Sequence, residues 1–177
     1  MPFRGVARTV GFVLGAVLLF SALFLGTRAI KKRRDADWLL ARAVQASETG
    51  DEKAALEWFA RARKAFDLRI KEQQNPTAAW IGSCRLELLR MEFELGKGRP
   101  ADAHRDRALG SCAAALGQEP RNREAHLLMA HVHARWAEAL QGRGEDPAIA
   151  LLNAETSFRK AREGEVPPRE SSEKPAP

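Results

Sequence analysis

Apolar residues recur three and four positions apart along most of the chain, which is the spacing of one face of an α-helix. No stretch alternates between apolar and polar residues as a half-buried strand does. Glycine and proline interrupt the pattern repeatedly, and Asp51 and Asn122 stand where N-cap residues are expected. Six helices are therefore predicted, over residues 38–49, 51–74, 77–95, 100–116, 123–140 and 146–163.

The connections between these segments are short, so consecutive helices are expected to pack as antiparallel pairs. Residues 35–163 are thus predicted to form one all-α domain of three helix pairs. Residues 164–177 are rich in proline, serine, glutamate and lysine and offer little apolar surface to bury. They are predicted to be a disordered tail.

The most apolar stretch precedes this domain, at residues 10–26, and contains neither a charged residue nor a proline. As a helix its 17 residues reach about 26 Å, close to the roughly 30 Å of a membrane's hydrocarbon core. Basic residues flank the stretch on both sides. The predicted fold class is an all-α chain, with residues 1–34 forming a single transmembrane helix and its basic cluster, followed by the three stacked helix pairs.

A secretory signal peptide is the alternative for this stretch, since it also joins a basic start to an apolar core. No good small-x-small cleavage site follows, and the basic cluster at residues 28–34 comes directly after the apolar run. The positive-inside rule then favours a single-pass protein of a bacterial inner membrane with a cytoplasmic helical domain. A periplasmic domain remains the alternative, because basic residues lie on both sides of the span.

The net charge of +6 is confined to one end of the chain. The first 34 residues hold seven basic and no acidic residues, which leaves 22 basic and 23 acidic residues in the remainder. The helical domain is therefore electrostatically balanced, and a nucleic-acid partner is not expected. The basic flank is instead expected to lie against anionic lipid headgroups.

Small residues share one face of the predicted membrane helix, and two of them form a GxxxG pair that allows close backbone approach. This face predicts self-association into a homodimer, although small residues are also common in membrane helices generally. The face consists of Gly11, Gly15, Ala22 and Gly26.

A motif of a small residue, a bulky residue four positions later and another small residue three positions after that recurs in the second helix of each pair. These spacings put the three residues on one helical face, where small side chains permit close helix contact. The motif residues are Ala55, Phe59 and Ala62, then Ala108, Cys112 and Ala115, then Ala154, Phe158 and Ala161.

With this motif the chain resembles the tetratricopeptide repeat family over about residues 38–163. The first helices agree in part, with small residues at Ala43, Cys84 and Ala130, and Glu119-Pro120 resembles the family's inter-repeat turn. Successive motifs are 53 and 46 residues apart, whereas the family repeats about every 34, so longer helices and loops must absorb the difference.

The resemblance implies a short solenoid whose first helices line a concave surface that binds another protein or a peptide. Arg85 and Arg135 are expected there to bind carboxylates, with Leu88 contacting an apolar anchor. The alternative is that these are ordinary solvated helix residues. The implied groove positions are Val44, Glu48, Arg85, Leu88, His131 and Arg135.

Catalytic and metal-binding patterns do not emerge from the sequence. His126, His131 and His133 lack the i, i+4 spacing of helical zinc sites and are not expected to bind metal. Cys84 and Cys112 are isolated and are predicted to be buried thiols, with a disulfide between them as the alternative in a periplasmic domain. Neither an enzyme nor a cofactor is predicted.

The preferred functional prediction is a membrane-tethered interaction module that recruits a protein or peptide. The alternative is a fixed structural subunit of a larger cell-envelope complex. The end faces of the helix stack distinguish a recruitment module from a fixed subunit. A polar end face needs no neighbouring subunit to cover it and so favours the free-standing module. The last helix is expected to present such an end, with Leu151, Phe158 and Ala161 inward and Glu155, Ser157 and Lys160 outward.

Overall fold

The computed structural model describes residues 35–73 and 75–163, which form six α-helices without a strand. The predicted all-helical domain is confirmed, and each predicted helix end lies within three residues of the observed one. The helices are α1 (Ala36–Glu48), α2 (Glu52–Lys71), α3 (Pro76–Gly96), α4 (Asp102–Gln118), α5 (Arg123–Gly142) and α6 (Ala148–Glu163).

Polar caps set the beginnings of α2 and α5, as the sequence predicts. The Asp51 carboxylate accepts a hydrogen bond of 3.0 Å from the backbone N–H of Ala54, and the Asn122 side chain does the same for Ala125. Each bond satisfies an amide that has no partner within its own helix. Between α1 and α2 the chain turns at Gly50, whose φ of +77° is a conformation that glycine adopts readily.

The predicted transmembrane part of the fold class requires a correction. Over residues 35–73 and 75–163 no helix is long and apolar enough to cross a membrane. In these residues the structure shows the six helices of an all-α domain. Residues 10–26, their small-residue face and the tail at 164–177 lie outside the described residues.

The six helices form three pairs that stack in chain order. Within each pair the two helices pack along their lengths, and α2 and α4 also pack on the first helix of the pair that follows. The first helices α1, α3 and α5 contact one another in succession, whereas α2, α4 and α6 do not approach each other closely within the described part of the chain. The stack is therefore tightest on its first-helix side.

Small residues allow this close packing, as the repeated motif predicts. Ala55 and Ala62 of α2 are fully buried, and so are Cys84 and Ala130 in the first helices. The Phe66 ring of α2 lies against Gly82 of α3, where a side chain on the glycine would overlap it. The helices therefore approach closely, because the residues at their contacts have small side chains or none.

Cys84 and Cys112 form a disulfide that joins α3 to α4, with Cα atoms 5.4 Å apart. Both residues are fully buried in the larger core cluster. The prediction of buried thiols was therefore wrong, and the alternative of a disulfide within one pair describes the structure. Because the bond closes a segment of 28 residues, it restricts the unfolded chain as well as the folded one.

The predicted faces of α6 were wrong at two positions, although Glu155 and Lys160 are exposed and Ala161 is buried as expected. Ser157, expected outside, is only 6 % exposed, while Leu151, expected inside, is 53 % exposed. The helix packs on α5 through a stripe of small residues, because these permit the closest approach. Ile149 and Leu152 are exposed as well, so the last helix leaves apolar side chains uncovered.

We expect Gly82→Ala to lower the free energy of unfolding by about 1–3 kcal/mol, because the new methyl group overlaps the buried Phe66 ring. Gly110→Ala in α4 is the matched control, since an added methyl group meets no atom within 4 Å there. The control is expected to stabilise the helix by up to about 1 kcal/mol. Urea unfolding followed by circular dichroism measures both, and equal effects would contradict the packing described here.

We expect reduction of the Cys84–Cys112 disulfide to lower the free energy of unfolding by about 3–4 kcal/mol. Urea unfolding with and without reductant measures this difference. A double variant, Cys84→Ala with Cys112→Ala, is the control and should not respond to reductant. Intact-mass measurement after alkylation without reductant should find no free thiol, and two alkylated cysteines would show that the bond does not form.

Candidate functional site

The predicted groove positions lie along the first-helix face, the surface formed by α1, α3 and α5. Both predicted arginines are already engaged there. Arg85 forms an ion pair with Glu124 of α5, and Arg135 donates from Nε to Glu92 of α3 over 2.8 Å. Each pair links two successive first helices, so these side chains join the stack together on this face.

The other predicted positions are divided between surface and core. Leu88 is 6 % exposed and belongs to the core, so it presents no apolar anchor to a ligand. Glu48 and His131 are exposed, and Val44 is half-buried. The His131 ring contacts Phe158 of α6 edge-on, with ring centroids 5.7 Å apart. The first-helix face is therefore a polar surface of paired charges.

A concave surface lies elsewhere, on the outer side of α1 and α2, which no preceding helix covers in the described part of the chain. Its volume is 1210 Å³. We call it the end groove. Its floor and walls include two tryptophans, an exposed leucine and residues from both helices, among them Trp38, Leu39, Ala46, Trp58, Ala65 and Leu68.

Two tryptophans meet across the end groove. The rings of Trp38 in α1 and Trp58 in α2 are perpendicular, with centroids 5.7 Å apart. Guanidinium groups cover their outer faces, since Arg42 lies 5.3 Å from the Trp38 centroid and Arg61 lies 4.8 Å from that of Trp58. Edge-to-face rings and cation–π contacts hold both side chains in place. Leu68, 54 % exposed, completes the apolar surface.

The rim of the end groove carries both signs of charge in nearly equal number. Arg69 donates to Asp35 over 2.8 Å and to Asp37 over 3.0 Å, which fastens the end of α2 to the start of α1. A rim of both signs can pair with a partner surface that is also mixed. The charged lining residues are Arg42, Arg61, Lys64 and Arg69, with Asp35, Asp51 and Glu72.

Sequence reasoning missed the end groove, although a signal was present. In α2 the repeated motif follows the inward face, and a second stripe of Trp58, Ala65 and Leu68 runs along its side at spacings of seven and three. Such a side stripe predicts a second contact surface. Its exposure could not be read from the sequence, because that depends on whether another helix packs there.

Glu87 is the other feature with potential chemistry, a carboxylate of α3 that is 2 % exposed. Arg63 of α2 donates to one oxygen, and Arg107 Nε of α4 donates to the other over 3.1 Å, while His104 Nδ1 lies 2.8 Å from that second oxygen. Burial alone would raise the pKa of Glu87, but these hydrogen bonds and positive charges together hold it below its usual value. With both oxygens engaged, the carboxylate joins three helices and is not free to act as a base.

Histidines do not assemble into a metal site in residues 35–73 and 75–163, where no group of three or more potential ligands converges. His126 is buried, and its Nε2 donates to the carbonyl of Pro120 over 3.0 Å, which fixes the turn before α5. Burial and the nearby charge of Arg105 lower the pKa of His133. Each of these histidines therefore has a packing role.

No protein-family model, curated protein or solved structure matches this chain. The resemblance to tetratricopeptide repeats accordingly stays a prediction based on the motif and its neighbours. Function has to be inferred from the surfaces themselves, and the end groove and the first-helix face are the two candidates.

We expect Glu87→Gln to lower the free energy of unfolding at pH 7 by about 2–3 kcal/mol, because the amide offers one acceptor oxygen and no negative charge to Arg63 and Arg107. The folded-state pKa of Glu87 is lowered, so its contribution is present above the usual value of 4.5 and is lost as pH falls through the folded value. The wild type and the variant should therefore converge in stability as the pH falls below 4.5.

Urea unfolding at a series of pH values between neutral and acid measures this convergence. Glu57→Gln is the matched control, since its carboxylate is exposed and lies 4.0 Å from Arg61. That substitution should change stability by less than about 0.5 kcal/mol at any pH. A Glu87→Gln difference that stays constant down to acid pH would exclude the charged cluster as its source.

Proposed function

We propose that this chain is a protein-binding module and that its end groove accepts an α-helical segment. The supporting observation is the uncovered outer face of α1 and α2, with Trp38, Trp58 and Leu68 along a groove of 1210 Å³. Apolar surface of this kind, bordered by charged residues, is typical of protein-interaction sites. Tryptophan and arginine, which line it together, are the residues most enriched among the strongest contributors to binding.

The stack itself supports a helix as the ligand. The corresponding face of α3 packs against α2, and that of α5 packs against α4. Both covered faces belong to helix pairs built with the same motif as the first pair. A helix is therefore the shape that this kind of face receives, and the first pair alone has its face open among the described helices.

The first-helix face is a weaker candidate for the binding site. An acidic ligand at Arg85 must displace Glu124, and one at Arg135 must displace Glu92 and Glu138. Such an exchange replaces one ion pair by another and gains little. The face also lacks the apolar anchor that Leu88 was expected to supply.

A fixed subunit of a larger assembly is the second candidate function. It is favoured by exposed leucines at both ends of the stack, Leu68 in α2 and Leu151 and Leu152 in α6. Apolar residues at both ends suit a chain that stays bound on two sides. A permanent complex should co-purify in fixed stoichiometry, whereas a recruitment module should exchange its partner during washing.

The buried disulfide supports an oxidising compartment for the helical domain, such as the periplasm or the cell exterior. Reducing systems in the cytoplasm keep most thiols free. We therefore propose that this domain lies outside the cytoplasm, which is the alternative location given by the sequence analysis.

The binding site can be tested with a photoreactive residue introduced at Leu68 in cells that produce the full chain. We expect a discrete crosslinked adduct, because Leu68 is exposed in the end groove. Ala60, exposed on another side of α2, is the matched control and should give none. If a probe at Glu48 of the first-helix face gives an adduct and the probe at Leu68 gives none, the binding site is on the first-helix face and not in the end groove.

A further inference from the structure

Building on the proposed function of the end groove, we propose that its ligand is a second copy of this chain. In this arrangement α6 of one copy lies in the end groove of the next, so that copies join head to tail. The chain then carries both halves of the contact, an open groove at its first pair and an uncovered helix at its last.

The repeated motif allows α2, α4 and α6 to be compared position by position. Three residues before the first alanine of the motif stand Glu52, Arg105 and Leu151. In α2 and α4 this position contacts the pair that follows. The Glu52 carboxylate accepts from Arg99 Nη1 over 2.7 Å, and the Arg105 guanidinium lies 4.2 Å from the centroid of the Trp136 ring.

Leu151 occupies the same position in α6, but no pair follows among the described helices. Its side chain is 53 % exposed. Phe158 lies seven residues further along the same side of the helix, at the bulky position of the motif. In α2 the residue at that position, Phe59, contacts Phe93 of the following pair with ring centroids 5.9 Å apart. Phe158 itself contacts His131 of its own pair, so Leu151 is the exposed residue on the side of α6 that corresponds to the side through which α2 packs on α3.

The end groove is the matching surface on the first pair. Within the chain, Glu87 of α3, three residues after Cys84, accepts from Arg63 of α2. Ala46 of α1 stands likewise three residues after the aligned Ala43, and it lines the end groove, which no described helix covers. A continued stack therefore puts α6 of one copy where α2 and α4 lie inside the chain.

Charges at the two ends are compatible with this contact. The rim of the end groove has four basic and three acidic residues. On α6, Glu155 lies on the same side as Leu151 and Phe158, and Arg162 follows two turns after Glu155. Residues of both signs on each surface allow opposite charges to meet without a net repulsion.

A head-to-tail contact joins two different surfaces, so it does not close on itself as a two-fold dimer does. Copies continue to add until a free end is blocked. A symmetric dimer through two end grooves differs, because it closes after two copies and α6 takes no part in it.

The test uses the purified full chain in one non-ionic detergent, with particle mass measured by light scattering over a range of protein concentrations. Leu68→Glu blocks the end groove, and Leu151→Glu blocks the uncovered side of α6. Both side chains are exposed, so the helices should keep their circular dichroism and melting temperature. We expect the wild type to form a series of oligomers, and each variant to weaken association by about tenfold or more.

The decisive sample is a 1:1 mixture of the two variants. Each variant keeps one intact surface, so the mixture should form one head-to-tail contact and stop at a dimer. Leu152→Glu is the matched control, because this leucine is 62 % exposed at the position of Lys53 and Asp106, which face solvent in α2 and α4. It should associate like the wild type.

Two results would overturn the proposal. One is a wild-type chain whose mass stays that of a single copy at every concentration. The other is an association that Leu68→Glu abolishes while Leu151→Glu leaves it unchanged, which indicates a symmetric dimer. In either case, a photocrosslink from Leu68 to a different protein would still support the proposed binding site. Absence of any Leu68 adduct would count against the binding site itself.

Discussion

Close approach between helices at small residues is the constraint on which the rest of this structure depends. Alanine, cysteine and glycine occupy the contact positions, and the Phe66 ring fills the space that Gly82 leaves open. Because packing forces act over short distances, helices that approach this closely bury their side chains at nearly crystalline density. The order of the pairs, the disulfide between α3 and α4 and the positions of the buried charges all follow from that approach.

Charged residues inside such a stack must be paired, and Glu87 illustrates how. Its carboxylate lies where α2, α3 and α4 meet, and donors from two neighbouring helices saturate both oxygens. The ion pairs of Arg85 and Arg135 join successive first helices at the surface in a similar manner. These arginines of the first-helix face therefore hold the helices in register and are not free for a ligand.

Interaction surfaces remain where the repetition stops. The first helix of the second pair and that of the third pair each pack against a preceding helix, whereas the first pair and the last helix have no such neighbour among the described helices. Repeat proteins commonly cover such ends with polar capping elements. Here the described ends carry Trp38, Trp58 and Leu68 on one side and Leu151 on the other. That is why the ends, more than the first-helix face, supply the candidate binding surfaces.

Much of the fold could be predicted from the sequence, because helix periodicity, capping residues and glycine breaks act over a few neighbouring positions. The six helices, the caps at Asp51 and Asn122 and the buried motif alanines were all predicted in this way. The inward face of α6 was not, since two stripes of small and large residues compete there and only the partner helix decides between them.

The candidate site depended on the tertiary structure for the same reason. Arg85 and Glu124 are 39 residues apart, and nothing local in the sequence indicates that they meet. The disulfide could be offered only as an alternative, because its formation requires two helices to bring Cys84 and Cys112 within reach. By itself the sequence determined which segments are helical and which of their faces are apolar. Tertiary packing alone decided which of those faces are covered, because burial is a property of helices in contact and not of any one helix.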